Sequence, residues 1–251
     1  MRIFVAKLSK EKLNSASPTE RSFFFIMAHL VNEINALNKL IFWSHEYLTQ
    51  NSAEENGKVS LTFILLRLLA GKLNEGNKLL RKKFYGSKIS KDYIPALSAK
   101  GQEALNQIKR YFNGTNSVTH IRNNYAFHYS PEELDSVLPT VPEELKVYVS
   151  DGGSANTLYY FAEVLANRAI LRTIDDKDDY AAYKRLVEEL PMVAGWFIDC
   201  AESLIVEFMS RHEENIWDGL AEEVHFEKLP SITDIQIPWF TETSDLAKWR
   251  A

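Results

Sequence analysis

The stretch that most restricts the fold of this chain opens at "SPTE", residues 17–20. Ser17 can cap a helix, Pro18 suits its first turn, and Glu20 completes a capping box. Phe23, Met27, Leu30, Ile34, Leu37 and Ile41 follow at spacings of 4, 3, 4, 3 and 4. A strand would scatter these side chains over both faces. On a helix they form one seam, so the spacing predicts a long helix to about Gln50, packed nearly parallel to a neighbour.

The polar stretch "NSAEENG" leads to a second long helix predicted from about Lys58 to Tyr85, with Gly86 where a left-handed C-terminal residue is expected. A basic loop, "SKISKDYIP", precedes a third helix from Ser98 to about Phe112. A short fourth helix begins near Asn116 or Ser117 and stops before "SPEE", where Ser130, Pro131 and Glu133 repeat the earlier start signal. The expectation is an all-α, up-down helical bundle over residues 1–138.

Residues 139–251 read as a helical extension packed on that bundle as one unit. "LKVYVSDGGSANTLYYF" predicts a small β-hairpin around its Asp-Gly-Gly turn. A helix is expected from about Asn156 to Ile174. Another opens at "DDKDDY", is interrupted and restarted at Pro191, and continues to about Arg211. Beyond Trp217 the pattern becomes an extended tail whose Ile235, Ile237, Trp239 and Phe240 need a surface to pack on.

Several classes of protein are set aside by composition. At 45% hydrophobic residues over 251 positions, the chain can bury a core and is not disordered as a whole. One cysteine, Cys200, permits neither an intrachain disulfide nor a cysteine metal cluster, and inside an apolar stretch it reads as an inert buried thiol. The longest apolar run, "VSLTFILLRLLAG", is cut by Arg67 and falls short of the roughly 20 residues a membrane span needs. The apolar run in "MRIFVAKLSKEKLN" is too short for a signal-peptide core. The expected location is the cytoplasm, without membrane association.

Charge is unevenly spread. Residues 58–122 hold thirteen Lys or Arg against three acids, a local excess of +10 in a chain whose net is −5, so the remainder carries −15. Such a split suits a polyanion or an acidic partner, or simply a solvated lysine-rich helix end.

Phosphate loops of the Walker or dinucleotide type, His-Glu-x-x-His, Cys-x-x-Cys and Gly-x-Ser-x-Gly are all missing from the sequence. His29 and Glu33 share a helix face at i, i+4 without further ligands, which favours a polar contact over a metal. Asp175, Asp176, Asp178 and Asp179 fit a helix N-terminus better than a cation site. Tyr159, Tyr160 and Phe161 are expected in the core. Neither a metal nor a cofactor is expected.

What remains is "THIRNNYAFHYSPEE", residues 119–133. It reads Arg122-Asn123-Asn124-Tyr125-Ala126-Phe127-His128, and it follows two long helices and a shorter third. In motif and in position this resembles the HEPN superfamily (the higher-eukaryote and prokaryote nucleotide-binding fold), in its Arg-Asn-x4-His variant. The resemblance covers about residues 18 to 130. It implies a metal-independent endoribonuclease of the toxin or antiphage-effector kind, a homodimer with paired motifs, and a possible antitoxin or regulatory protein as partner. His128 would act as general acid or base. Arg122 would hold the phosphate, and Asn123 would orient it or the histidine. Asn124, four residues before His128, could fix its tautomer. Arg81, Lys82, Lys83, Lys88 and Lys91 would guide the RNA backbone by charge.

On an ideal helix Arg122 and His128 stand about 120° apart around the axis and about 9 Å along it. A tight cluster then needs the helix to end early or a second copy to contribute. The bland alternative pairs Arg122 with an acid and uses His128 to cap the short helix. Two further function classes stay open: a non-catalytic HEPN-like module binding RNA or an acidic protein, and a small-molecule enzyme using a pocket in residues 156–210.

Overall fold

The computed structural model describes residues 3–45, 51–126, 130–151, 154–212 and 222–242. Among them the chain is an all-α helical bundle with one two-stranded sheet. Strand β1 is Ile3–Val5, and nine helices follow: α1 Lys10–Leu13, α2 Pro18–His45, α3 Ser52–Leu79, α4 Lys88–Tyr93, α5 Ala99–Asn113, α6 Ser117–Ile121, α7 Pro131–Val137, α8 Tyr160–Ile174 and α9 Asp179–His212. Strand β2 is Glu222–Val224. Two π-helical turns, Leu80–Phe84 and Arg122–Ala126, continue α3 and α6. No helix among the described residues is long and apolar enough to cross a membrane.

Of the two predicted start signals, Ser17 caps its helix, whereas Ser130 opens α7 with no side-chain cap bond. The Ser17 hydroxyl accepts the Glu20 amide at 3.3 Å, opening α2. "NSAEENG" is helix rather than linker, because Asn51 Oδ1 accepts the amides of Ala53 at 2.9 Å and Glu54 at 3.4 Å and starts α3 early. "SKISKDYIP" is likewise helical: Ser87 caps α4 by accepting the Ser90 amide at 3.2 Å. Gly86 takes the left-handed conformation, with φ of 74°. Pro191 neither ends nor restarts α9, which continues through it. One missing N–H bond in 34 helical residues is offset by an apolar stripe buried on both sides of the proline.

The chain divides into two compact units. The first comprises Met1–Ala36, Lys72–Asn116 and Pro191–Pro230. Its core is the α2 seam, where Phe23, Met27, Leu30 and Ile34 are all buried. The Phe23 ring stacks on Phe84 at 5.3 Å and the Phe24 ring on Phe208 at 4.4 Å. α5 adds Ala104, Leu105, Ile108 and Phe112 from one face. The Tyr93 hydroxyl donates to Glu20 at 2.5 Å, and the Arg211 guanidinium lies 4.1 Å from the Tyr93 ring centre. A Cβ on Gly76 would stand 2.7 Å from the Phe197 ring and 2.8 Å from Leu30, so only glycine permits this approach. β1 pairs antiparallel with β2, Phe4 opposite Glu223.

The second unit comprises Leu37–Gly71, Ser117–Leu190 and Ser231–Ala251. Phe63, Leu66 and Leu69 of α3, Ile170 of α8 and Leu186 of α9 are buried in it. Its polar contacts include the Ser44 and Thr62 hydroxyls, which pair at 3.1 Å, and Arg67, which donates to Glu163 at 2.8 Å. Where a β-hairpin was predicted there is, among the described residues, a single bridge, Tyr148 to Leu158, closed by backbone bonds of 2.9 and 2.8 Å, while Gly152 and Gly153 of the predicted turn lie outside the described residues. The intervening Ser154–Asn156 winds as a 3₁₀ turn and breaks the strand pairing.

The tail finds its surface inside this same unit. The Ile237 amide donates to the Trp43 carbonyl at 3.3 Å. The Asn156 side chain grips the main chain of Thr241, accepting its N–H at 3.0 Å and donating to its carbonyl at 2.6 Å. Phe240 sits edge-on to Tyr148, and the Trp239 Cβ fills the space where a side chain on Gly57 would lie.

Candidate functional site

Within the second unit, α6 and its π turn carry the predicted motif. Val118, Ile121 and Tyr125 are buried at spacings of 3 and 4, and this fixes the segment against its core. The Ser117 hydroxyl donates to Glu189 at 2.9 Å, anchoring the start. Asn123 is exposed, and Arg122 is half-buried with its Nε sealed from solvent. They are brought together: Arg122 Nη1 donates to Asn123 Oδ1 at 3.1 Å. The wider π turn invalidates the ideal-helix spacing, since its hydrogen bonds span five residues rather than four. His128 lies outside the described residues.

Among the described residues Asn124, predicted to orient His128, contacts His120, with its Nδ2 3.2 Å from His120 Nδ1. His120 was not singled out by sequence reasoning. It stands one turn before Asn124, and that i, i+4 relation is the signal that could have found it. Its ring lies 5.8 Å from Tyr125. The Tyr125 hydroxyl donates to Glu133 of α7; burial, with the Glu133 carboxylate next, raises its pKa well above the usual phenol value. Tyr125 is thus a structural tie rather than an acid for catalysis.

The five predicted RNA-guiding cations belong to the first unit and divide into three kinds. Arg81 is spent on structure, since its Nη2 donates to the Phe112 carbonyl at 3.1 Å and to Asn113 Oδ1 at 3.0 Å, closing the end of α5. Lys82 and Lys83 are exposed on the π turn and line a groove of about 320 Å³. Lys88 and Lys91 are exposed on α4 and do not line it.

The other candidates resolve simply. His29 Nε2 lies 3.8 Å from Glu33 Oε2, and Glu33 makes a polar contact to the neighbouring helix α3 by pairing with Lys72 at 2.5 Å. Three of the four aspartates are occupied by the chain itself: Asp175 Oδ1 accepts the Lys177 amide at 3.1 Å, Asp178 caps α9 at the Ala181 amide at 2.9 Å, and Asp179 pairs with Arg168. Among the described residues no three His, Cys, Asp or Glu converge on a metal-sized site. Cys200 is buried, and burial pushes its thiol up to about 12. Tyr159 and Phe161, expected in the core, are instead exposed and meet edge-on at 6.4 Å at the start of α8. Only Tyr160 of the three turns inward, toward Tyr148.

In comparison with known proteins, no family model, no curated protein and no solved structure matches the chain.

Proposed function

We propose that the chain is a metal-independent endoribonuclease of the toxin or antiphage-effector kind, acting as a cytoplasmic homodimer under the control of a partner protein. The observation that carries this reading is the hydrogen bond between Arg122 and Asn123 on a π turn, directly before the segment bearing His128. The Arg122 guanidinium grips the scissile phosphate, and Asn123 fixes the guanidinium plane. The 2′-hydroxyl attacks the adjacent phosphorus and its proton passes to a base. The bond from phosphorus to the 5′-oxygen breaks, and that oxygen takes up a proton. The products are a 2′,3′-cyclic phosphate and a 5′-hydroxyl. His128 serves as the acid or base of this exchange. Exposed Lys82, Lys83, Lys88 and Lys91 add long-range attraction for the backbone.

A second reading, a non-catalytic module that binds RNA or an acidic protein, is favoured by the exposed lysines, which attract a polyanion whether or not it is cut. Incubating RNA with the wild type, Arg122→Ala and His128→Ala separates the two. The nuclease gives cyclic-phosphate ends with the wild type and loses at least about 10²-fold in either variant. Equal binding and no cleavage by all three proteins supports the module.

A further inference from the structure

We infer that the groove between the N-terminal half of α2 and the C-terminal end of α3, within the first unit, is a binding site for a nucleotide unit: a phosphate at Lys82 and Lys83, with base or ribose against an aliphatic ledge. It shares two lysines with the reading above but rests on binding alone, independent of Arg122 and His128.

The site is built by the π turn. Leu80 and Phe84 are fully buried four positions apart, which turns Arg81, Lys82 and Lys83 outward together. Arg81 is held by the end of α5, leaving the two lysines to the groove. π turns are rare and recur at functional sites, where they aim side chains an α-helix would distribute around its axis.

Charge in the groove does not cancel. Lys72 is neutralised by Glu33 at 2.5 Å and Lys78 by Glu75 at 2.7 Å. Lys82 and Lys83 make no ion pair with any described residue, so a net of two positive charges lines one concave surface, with His29 at its rim. Ile26, half-exposed on a helix, lines the same groove together with Leu30 and Leu79. Cations beside an apolar ledge match a ligand that is anionic at one end and flat and weakly polar at the other. The volume, about 320 Å³, lies at the lower end of small-ligand sites and suits one nucleotide unit. That unit can come from a free nucleotide or from a single strand.

The test measures binding by fluorescence anisotropy, using a labelled 2′-O-methyl oligoadenylate of eight residues, which lacks the attacking hydroxyl. Adenosine monophosphate serves as competitor and adenosine as its phosphate-free control. Lys82→Ala/Lys83→Ala is compared with Lys88→Ala/Lys91→Ala, an equal loss of charge away from the groove, after circular dichroism confirms that both variants fold. Loss of the two lysines that hold this one phosphate lowers the slope of log K against log salt by about 0.7 and weakens binding roughly 5-fold at 0.1 M salt. The α4 variant loses several-fold less. Competition by adenosine monophosphate but not by adenosine assigns the site to free nucleotides as well; strand binding without competition assigns it to nucleic acid. Failure of both strand and monophosphate to bind, equal competition by adenosine, or equal losses in the two double variants overturns the proposal. None of these results depends on cleavage, so the nuclease reading stands or falls separately.

Discussion

Gly76 and Gly195 offer the same substitution in opposite surroundings. Both lie inside helices of the first unit, Gly76 in α3 and Gly195 in α9. Replacing either with alanine gains about 1 kcal/mol of intrinsic helix propensity. At Gly195 nothing lies within 4 Å of the new Cβ, so that gain is kept. At Gly76 the Cβ would stand 2.7 Å from the Phe197 ring and 2.8 Å from Leu30, nearly 1 Å inside ordinary contact, in a core where Phe197 is fully buried. Overpacking of this kind costs about 1–3 kcal/mol, which leaves Gly76→Ala about 0–2 kcal/mol less stable than the wild type. The two variants therefore differ by about 1–3 kcal/mol, or several degrees in Tm for a chain of this size. Urea unfolding followed by circular dichroism reads the difference directly. If Gly76→Ala proves as stable as Gly195→Ala, the packing of α3 on Phe197 and Leu30 is wrong.

Arg67 and Glu163 pair with side chains only 13% and 19% exposed, so Arg67→Met alone is expected to cost about 3–5 kcal/mol while Arg67→Met/Glu163→Leu recovers most of it, as denaturant titration will show. For Glu20, burial pulls the carboxyl upward, but the hydrogen bonds from Tyr93 and His212 outweigh it and the pKa is lowered. The unfolded chain then binds more protons, so this stabilisation is complete above about pH 4.5 and is lost as pH falls through the folded value. Glu20→Gln should flatten the loss of Tm below that pH, and an unchanged acid limb refutes the assignment. Cys200, with its thiol pushed up to about 12, should resist iodoacetamide at pH 8 until the protein is denatured, as mass spectrometry can follow. Asn156→Ala removes both bonds to Thr241, and faster protease cleavage within 231–242 than in the wild type is the expected result.

Helices whose seams repeat regularly were legible because burial and spacing agree: Phe23, Met27, Leu30, Ile34 and Ile41 are buried as the 4-3 pattern of α2 requires, and Leu37 is half-buried. Capping was legible at Ser17 but not at Asn51, where a polar run concealed a cap and its first helical turn. Non-local pairing left no trace: β1 and β2 are short strands more than two hundred residues apart. The two π turns were invisible for a different reason. Each adds a single residue to one turn, a change smaller than the scatter of any apolar repeat, yet each re-aims the side chains chosen as candidates. Arg81 looked like Lys82 and Lys83 in sequence, and only the coordinates separate the residue that closes α5 from the two that line a groove. Tyr159 and Phe161 were misplaced because hydrophobicity predicts burial only when a helix face is available, and they precede or open α8 with their rings outward.

The grip of Asn156 on Thr241 is made through main-chain atoms alone at position 241. The identity of residue 241 is therefore free to drift, apart from proline, which has no N–H to give. Position 156, 85 residues earlier in the chain, tolerates little beyond an amide of that length. Variation among natural or selected versions of this protein should be lopsided across the contact, permissive at the held residue and strict at the holder.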